Sequence, residues 1–298
     1  MTVCIATMCN SGRNIISATD GLLSQPGGVS GEVIAGKMLW LKDWLFLYAG
    51  NDMDAVELVL GEIREAAKKD PKLLSKDSMR TLLRKAHRNA LAKWSADKFL
   101  SPYDMDMAEF KKEGRKVFGD EHFAELSRAI EQEAWRFYQE ILATGWGDSE
   151  DSAAIYGLAQ GALVSCEFSG IAAIGSGGST ALSTLFSLGC GRNMAIEEAI
   201  YAVAAAKFMA ESCDGVGKKN TAIFVGHRRT AKDPRDKLAG HFIQPPEIAE
   251  LRGLWERYSK PTIPKQALPK LDEIARRIGT GSVRGMVRHM SRLTSGKG

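Results

Sequence analysis

Hydrophobic and polar positions follow two different periods along the chain, and the period changes in blocks. Residues 2–8 and 14–20 are short runs rich in β-branched residues, and the Asn-Ser-Gly segment at 10–12 tolerates the positive φ of a tight turn. The runs 37–41 and 44–50 are almost continuously apolar, which is typical of strands covered on both faces. The start of the chain is therefore predicted to form two β-hairpins.

A helical period replaces this pattern from Asp52 onward. Ala55, Val59 and Ile63 recur at helical spacing, and charged amphipathic helices are predicted to continue over 70–146. The later predicted elements are a hairpin at 153–158 and 162–167, a strand at 171–174, helices at 181–188 and 196–212, and a strand at 221–226. Strands and helices thus come in blocks, which favours antiparallel sheets with helices on their outer faces.

Composition narrows the class of protein. The 298 residues are 44% hydrophobic and 26% charged, an ordinary globular balance. No apolar run reaches the length of a membrane span, and no secretory signal precedes the first strand. The five dispersed cysteines lack metal-ligand spacing, and the five histidines lack a metalloenzyme motif. We expect reduced structural thiols in a cytoplasmic protein without a membrane segment.

Charge separates the C-terminal segment from the rest. Residues 241–298 carry eleven Lys and Arg against five Asp and Glu, whereas the remainder is slightly acidic. We therefore divide the chain into a domain at 1–240 and a basic extension at 241–298. The arginines of this extension include Arg276, Arg277, Arg284, Arg288 and Arg292. No aromatic residues are interleaved with them, so a solvated helix or an intersubunit arm is favoured over nucleic-acid binding.

The first two residues carry candidate chemistry. Methionine aminopeptidase removes Met1 when the next side chain is as small as that of Thr2. The mature chain would begin with an α-amine, of ordinary pKa roughly 7.7–8.0, beside a threonine hydroxyl. A nucleophile and its base on one residue are the basis of N-terminal threonine catalysis. An ordinary threonine behind a retained methionine is the alternative interpretation.

Short motifs in a fixed order resemble those of a known family. They are Thr2-Val3-Cys4-Ile5-Ala6, Ser17-Ala18-Thr19-Asp20-Gly21, Gly36-Lys37-Met38, Tyr48-Ala49-Gly50, Ala173-Ile174-Gly175-Ser176-Gly177-Gly178 and Cys213-Asp214-Gly215-Val216-Gly217. Their order and spacing resemble β-type subunits of the proteasome superfamily, within the N-terminal-nucleophile (Ntn) hydrolases. The Thr-x-Cys start resembles the bacterial ancestral β-subunit branch. The resemblance covers most of residues 2–69 and 150–226.

The resemblance implies an α+β fold, the four-layer αββα sandwich of Ntn hydrolases with antiparallel sheets, carrying a large helical insertion at about 70–146. It implies a threonine-type endopeptidase in a self-compartmentalised homo-oligomer, a ring or an open spiral. The substrate would be a peptide or an unfolded protein, and an ATP-dependent unfoldase is a candidate partner. No cofactor and no metal ion is implied.

The resemblance also assigns roles to six residues. Thr2 would be the nucleophile, Lys37 and Asp20 would adjust its pKa, and the N–H of Gly50 would stabilise the oxyanion. Ser176 and Asp214 would support the α-amine. Each residue has a structural alternative: a surface ion pair, a turn glycine, or an anion site at a helix N-terminus for Ser176. The 213–217 loop could instead bind a cation through its carbonyls.

Three departures from the family separate this chain from ordinary β subunits. The stretch 70–146 is longer than its counterpart, residues follow position 240, and Gly217 stands where relatives often carry serine. Two other functions therefore stay open. One is a catalytically silent scaffold subunit of the same fold, and the other is an Ntn amidohydrolase that acts on a small amide.

Overall fold

The first sheet contains the N-terminal hairpin. A computed structural model of the protein describes residues 2–24, 30–32, 37–50, 53–147, 153–228, 238–258, 263 and 265–278. The strands of this sheet, in spatial order, are β10 (Ile171–Ile174), β1 (Cys4–Cys9), β2 (Asn14–Asp20), β11 (Thr221–His227) and β12 (Gly240–Phe242). All of these neighbours pair antiparallel.

A second antiparallel sheet follows from the second predicted hairpin. Its strands, in spatial order, are β5 (Met38–Leu41), β6 (Trp44–Gly50), β7 (Gln139–Gly145), β8 (Ala154–Ala159) and β9 (Ala162–Ser165). A small hairpin of β3 (Leu22–Ser24) and β4 (Ser30–Glu32) extends from the end of β2. These strands therefore join the first sheet to the second along the chain.

Helices cover the outer face of each sheet. They are α1 (Met53–Lys69), α2 (Lys76–Ser95), α3 (Met107–Ala134), α4 (Gly178–Ser187), α5 (Ile196–Ala210), α6 (Pro245–Tyr258) and α7 (Leu268–Arg277). One apolar cluster joins α1 and α2 to the second sheet, a second joins the two sheets, and a third joins the first sheet to α4–α7. The layers run helix, sheet, sheet, helix, so the predicted αββα architecture is confirmed.

The predicted hairpins are confirmed together with their turn chemistry. Asn10, Ser11 and Gly12 between β1 and β2 have φ values of 52°, 58° and 80°. Gln160 and Gly161 between β8 and β9 have φ values of 47° and 80°. Asparagine and glycine are the residues that tolerate this region best, and consecutive positive φ values match the twist of a tight hairpin.

The prediction that helices extend to residue 146 is wrong over β7. This strand lies in the middle of the second sheet, paired with both β6 and β8. Its Gln139-Glu140 start continues the charged pattern of the preceding helix, so the local sequence conceals the change of period. Pairing on both edges with apolar strands overrides that local preference.

The rest of the 70–146 stretch is helical and contains a small core of its own. The helix α3 is broken at Gly119, where φ is 74° and ψ is 169°. Leu100, Phe110 and Ile130 are buried together, separately from the three larger clusters. Within this stretch, the insertion proper is the segment 96–134, which follows α2 and lies against it.

The described part of the C-terminal segment packs against the first domain. Ile248 and Leu251 of α6, and Leu271 and Ile274 of α7, belong to the same apolar cluster as α5. Both helices contact α5, and β12 extends the first sheet beyond β11. Arg276 and Arg277 lie at the end of α7, whereas Arg284, Arg288 and Arg292 lie outside the described residues.

Candidate active site

Thr2 and Asp20 lie side by side because β1 and β2 form a tight hairpin. The register pairs Cys4 with Thr19, which brings the end of β2 to the beginning of β1. The Thr2 hydroxyl donates a hydrogen bond to the Asp20 carboxylate, and the Val3 N–H donates to the same oxygen over 3.1 Å. Both side chains are buried. The threonine that the sequence singles out is thus held by a carboxylate.

Lys37 provides the positive charge of the site. Its ammonium lies 3.6 Å from Asp20 Oδ1, and its side chain is 6% exposed. Burial lowers the pKa of Lys37 because a charged amine is poorly solvated there, and the charge of Asp20 opposes that shift. Lys37 precedes β5, so an amine from the second sheet meets a carboxylate from the first.

The second oxygen of Asp20 binds main chain. Asp20 Oδ2 accepts the N–H of Gly217 at 2.8 Å and that of Leu22 at 3.4 Å. A carboxylate inside a protein needs such donors, since it has lost its hydration. Asp20 therefore connects the first residues of the chain, Lys37 and the 213–217 loop.

Ser176 contacts the main chain of Thr2 on the other side. Its hydroxyl accepts the Thr2 N–H at 3.2 Å, and lies 3.3 Å from the Thr2 carbonyl oxygen, which also accepts the N–H of Gly177 at 3.1 Å. Gly175 adopts a φ of +87°, and a Cβ there would lie 2.3 Å from the Thr2 oxygen. Only glycine lets this turn approach Thr2 so closely.

Asp214 reaches the site through its main chain. Its carbonyl oxygen lies 3.4 Å from the Ser176 hydroxyl, and Asp214 itself is exposed to solvent. A side chain at the neighbouring Gly217, where the family resemblance implies a serine in many relatives, would be tightly confined. A Cβ there would meet Leu22 Cβ at 3.0 Å and Asp20 Oδ2 at 3.1 Å.

Gly50 lines a cavity with Thr2. The cavity has a volume of about 210 Å³ and is lined by Thr2, Ala49, Gly50, Tyr138, Glu140, Gly175 and Ser176. Gly50 is the last residue of β6, so this cavity lies at that end of the second sheet. A wider groove of about 950 Å³ lies over α1 and the end of α2, where ion-paired surface side chains such as Glu62 and Lys93 form its walls. Three of the six candidate site residues, Thr2, Gly50 and Ser176, line the smaller cavity.

Sequence reasoning missed two cavity residues because β7 was predicted as helix. Glu140 accepts the Gly175 N–H at 2.6 Å, which fixes the turn that carries Ser176. Burial raises the pKa of Tyr138, and the neighbouring Glu140 adds to that shift. Recognition of β7 as a strand would have brought both residues next to Gly50, because Gly50 pairs with Gln139.

A buried ion-paired group behind the 213–217 loop was also missed. Lys207 donates to the Gly217 carbonyl at 2.5 Å and to Glu211, and Arg252 binds the Glu211 carboxylate with both terminal nitrogens. A lone lysine in the apolar run of α5 was the available signal. Because the Gly217 carbonyl already accepts from an ammonium, a metal cation would have to displace Lys207 from it.

The remaining candidate chemistry is sparse within the described residues. The five cysteines are free thiols, and burial raises the pKa of the Cys4 thiol to about 12. No group of three or more His, Cys, Asp or Glu in these residues could hold a metal ion. No helix among them is both long and apolar enough to cross a membrane.

Comparison with known proteins shows which fold the chain shares with solved structures. No family model and no curated protein matches the chain. Among solved structures, an Anbu (Gly-1) mutant from Hyphomicrobium sp. strain MC1 is similar at a TM-score of 0.59 and 14% identity, over 91% of this chain and 97% of that one. Anbu (ancestral β-subunit) from Yersinia bercovieri is similar at 0.58 and 13%, over 86% and 93%. The chain therefore has the proteasome-like Ntn fold of these Anbu proteins.

Proposed function

We propose that this protein is a threonine peptidase that hydrolyses peptide bonds with Thr2 after removal of Met1. The observation that carries the proposal is the hydrogen bond of the Thr2 hydroxyl to Asp20, a carboxylate that also pairs with Lys37. An ordinary surface threonine would have no need of a buried carboxylate and a buried ammonium. Burying two charges costs stability, so the presence of both at this site favours a functional role for them.

The first step transfers the hydroxyl proton of Thr2 to its own α-amine while Oγ1 attacks the peptide carbonyl. Ser176 orients the amine through the 3.2 Å contact to the Thr2 nitrogen. The positive charge of Lys37 lowers the pKa of the nucleophile, and Asp20 keeps that charge in place. The oxyanion of the tetrahedral intermediate would accept the Gly50 N–H at the cavity wall.

Collapse of the intermediate breaks the C–N bond. The leaving amine takes the proton held by the α-ammonium, and an ester to Thr2 Oγ1 remains. Water then attacks this ester with the same amine as base, which releases the carboxylic acid and restores the hydroxyl. Every residue that this sequence of steps uses belongs to the candidate active site.

The proposal extends to assembly and setting. The proteasome-like fold favours a self-compartmentalised homo-oligomer, a ring or open spiral, that takes peptides or unfolded proteins, with an ATP-dependent unfoldase as candidate partner. The five free thiols favour a reducing compartment such as the cytoplasm.

A small amide is the second candidate substrate. The cavity at Thr2 has a volume of about 210 Å³, below the ~300 Å³ at which pockets for drug-sized ligands begin. An amidohydrolase would use the same nucleophile and base, so only the substrate separates the two functions. Hydrolysis of small amides without hydrolysis of peptides would favour this candidate.

The test combines intact-protein mass spectrometry with a β-lactone probe. We expect loss of the mass of Met1 and labelling of one site, with labelling retained in Thr2→Ser and lost in Thr2→Ala and Lys37→Ala. Retained Met1, or labelling unaffected by Thr2→Ala, would overturn the proposal. A chain without Met1 that is never labelled and never hydrolyses peptides or amides would instead be a silent scaffold subunit.

A further inference from the structure

The proposed mechanism leaves one buried charged group unused. Lys207 lies in the last turn of α5, and its side chain is fully buried. An ammonium in an apolar core is costly unless it is paired and hydrogen-bonded, and a methionine would fill the same space without that cost. Its partners are Glu211, at the end of the same helix, and the carbonyl of Gly217. The retention of this lysine needs an explanation beyond packing.

Gly217 connects Lys207 to the site. The carbonyl of Gly217 accepts from Lys207 at 2.5 Å, and its N–H donates to Asp20 Oδ2 at 2.8 Å. One residue thus lies between an ammonium and the carboxylate that binds the Thr2 hydroxyl. Hydrogen bonds in such a chain polarise one another in a buried setting. The loop already lies at hydrogen-bond distance from the Asp20 carboxylate, so it has little room to move closer.

The network reaches the C-terminal segment through Arg252 of α6. Its guanidinium binds Glu211 with two hydrogen bonds of 2.6 and 2.7 Å, donates to the Lys218 carbonyl at 3.2 Å, and lies 4.2 Å from the centre of the Phe208 ring. Arginine is the side chain suited to a bidentate and stacked site of this kind. Arg252 holds both ends of the 211–218 segment, and its side chain is 25% exposed.

We propose that Arg252, Glu211 and Lys207 position Asp20 through Gly217, so that α6 is a working part of the candidate active site. This inference rests on the proposed function only for the predicted change in kcat, and the predicted change in hydrogen exchange does not depend on it. Without Arg252, Glu211 would bind Lys207 alone and draw the ammonium from the Gly217 carbonyl. The loop would then hold Asp20 less firmly, although none of the three residues touches Thr2.

The test uses Arg252→Met, Lys207→Met and the double variant in the full chain, with Arg257→Met as matched control. Arg257 lies on the same helix and is exposed to solvent. Lys207→Met leaves the Glu211–Arg252 pair intact, so it is expected to fold. We expect each single variant to lower kcat on a fluorogenic peptide by about tenfold with KM unchanged, and the double variant to be no worse. Arg252→Lys should restore part of the loss, because it keeps the charge without the fork.

Amide hydrogen exchange provides a measurement that does not need activity. Arg252→Met should speed exchange at residues 213–218 and at 20–22, whereas Arg257→Met should not. Faster exchange confined to α6, or a fall in thermal stability with kcat unchanged, would overturn the inference. If the wild-type chain never hydrolyses a substrate, the proposed function fails, and exchange at 20–22 still decides whether Arg252 positions Asp20.

Discussion

At the residue scale, the site is organised around one carboxylate. Asp20 receives the Thr2 hydroxyl, the ammonium of Lys37 and the N–H of Gly217. These residues come from separate parts of the chain, so the ladder between β1 and β2 and the crossing between sheets must both be correct. The resemblance of the sequence motifs to the family implied that Thr2, Asp20 and Lys37 belong to one site. In the structure Thr2 precedes β1, Asp20 ends β2 and Lys37 precedes β5. The buried ion-paired group behind the loop was not predicted, although the single lysine among the apolar residues in the second half of α5 was a signal for it.

Gly217→Ser tests how tightly the 213–217 loop is packed against Asp20 and Leu22. The new side chain would press on Leu22 and on the Asp20 carboxylate, so we expect a loss of about 1–3 kcal/mol in the free energy of unfolding. Thr2 labelling should slow as well, since Asp20 would move. Gly253→Ala is the matched control, because α6 leaves open space there and alanine favours a helix by roughly 0.5–1 kcal/mol. Stability unchanged by the serine would mean that the loop adapts freely.

Lys207 makes stability depend on pH in a calculable direction. Burial lowers its pKa below the ordinary value of 10.5, so between the two values the unfolded chain binds more protons than the folded chain. The free energy of unfolding of the wild type, relative to Lys207→Met, should therefore rise as pH increases toward 10.5. Urea denaturation at several pH values measures this difference, and a difference that falls with pH would contradict the expectation.

At the scale of elements, the spacing of apolar residues predicted most strands. It failed for the strand whose conformation is set by pairing with its neighbours in the sheet. The hairpins β1–β2, β5–β6 and β8–β9 were predictable because apolar runs meet at turn residues. The strand β7 was not, because Gln139-Glu140 follows a charged helix without a break. Because β7 was not predicted, neither was the position of Glu140, which binds the Gly175 N–H beside Thr2. Helical spacing predicted the insertion, although not the break of α3 at Gly119.

We expect a loss of stability in the insertion at 96–134 to leave the reactivity of Thr2 unchanged. Phe110 is buried in the small cluster with Leu100 and Ile130, and Phe→Ala changes in a core cost about 3–5 kcal/mol. We expect Phe110→Ala to speed hydrogen exchange over residues 96–134 while Thr2 labelling keeps its rate. Phe137→Ala, at the start of the second sheet's core, should lower the stability of the whole chain and slow labelling. Equal effects of the two variants on labelling would show that the insertion is coupled to the site.

At the scale of the whole molecule, charge and packing give different boundaries. The basic composition after residue 240 suggested a separate extension, yet α6 and α7 share an apolar cluster with α5. Composition reports the surface, whereas burial decides which residues fold together. The described part of the segment therefore packs on α5, and Arg252 joins it to Glu211 and Lys218, on either side of the 213–217 loop. We accordingly expect α6 and α7 to unfold together with the two sheets, as one cooperative unit that leaves out only the insertion at 96–134.

Leu271→Ala tests this cooperativity. Leu271 is fully buried against α5, and a Leu→Ala change in a core costs about 2–5 kcal/mol. If α7 folds with the domain, one calorimetric transition should shift to lower temperature, and fluorescence and circular dichroism should report the same midpoint. Leu268→Ala on the same helix is the control, because Leu268 is 45% exposed and a surface change stays within about 0.5 kcal/mol. A new early transition beside an unmoved main one would instead make the C-terminal helices an independent unit, and the boundary near 240 would then follow folding as well as charge.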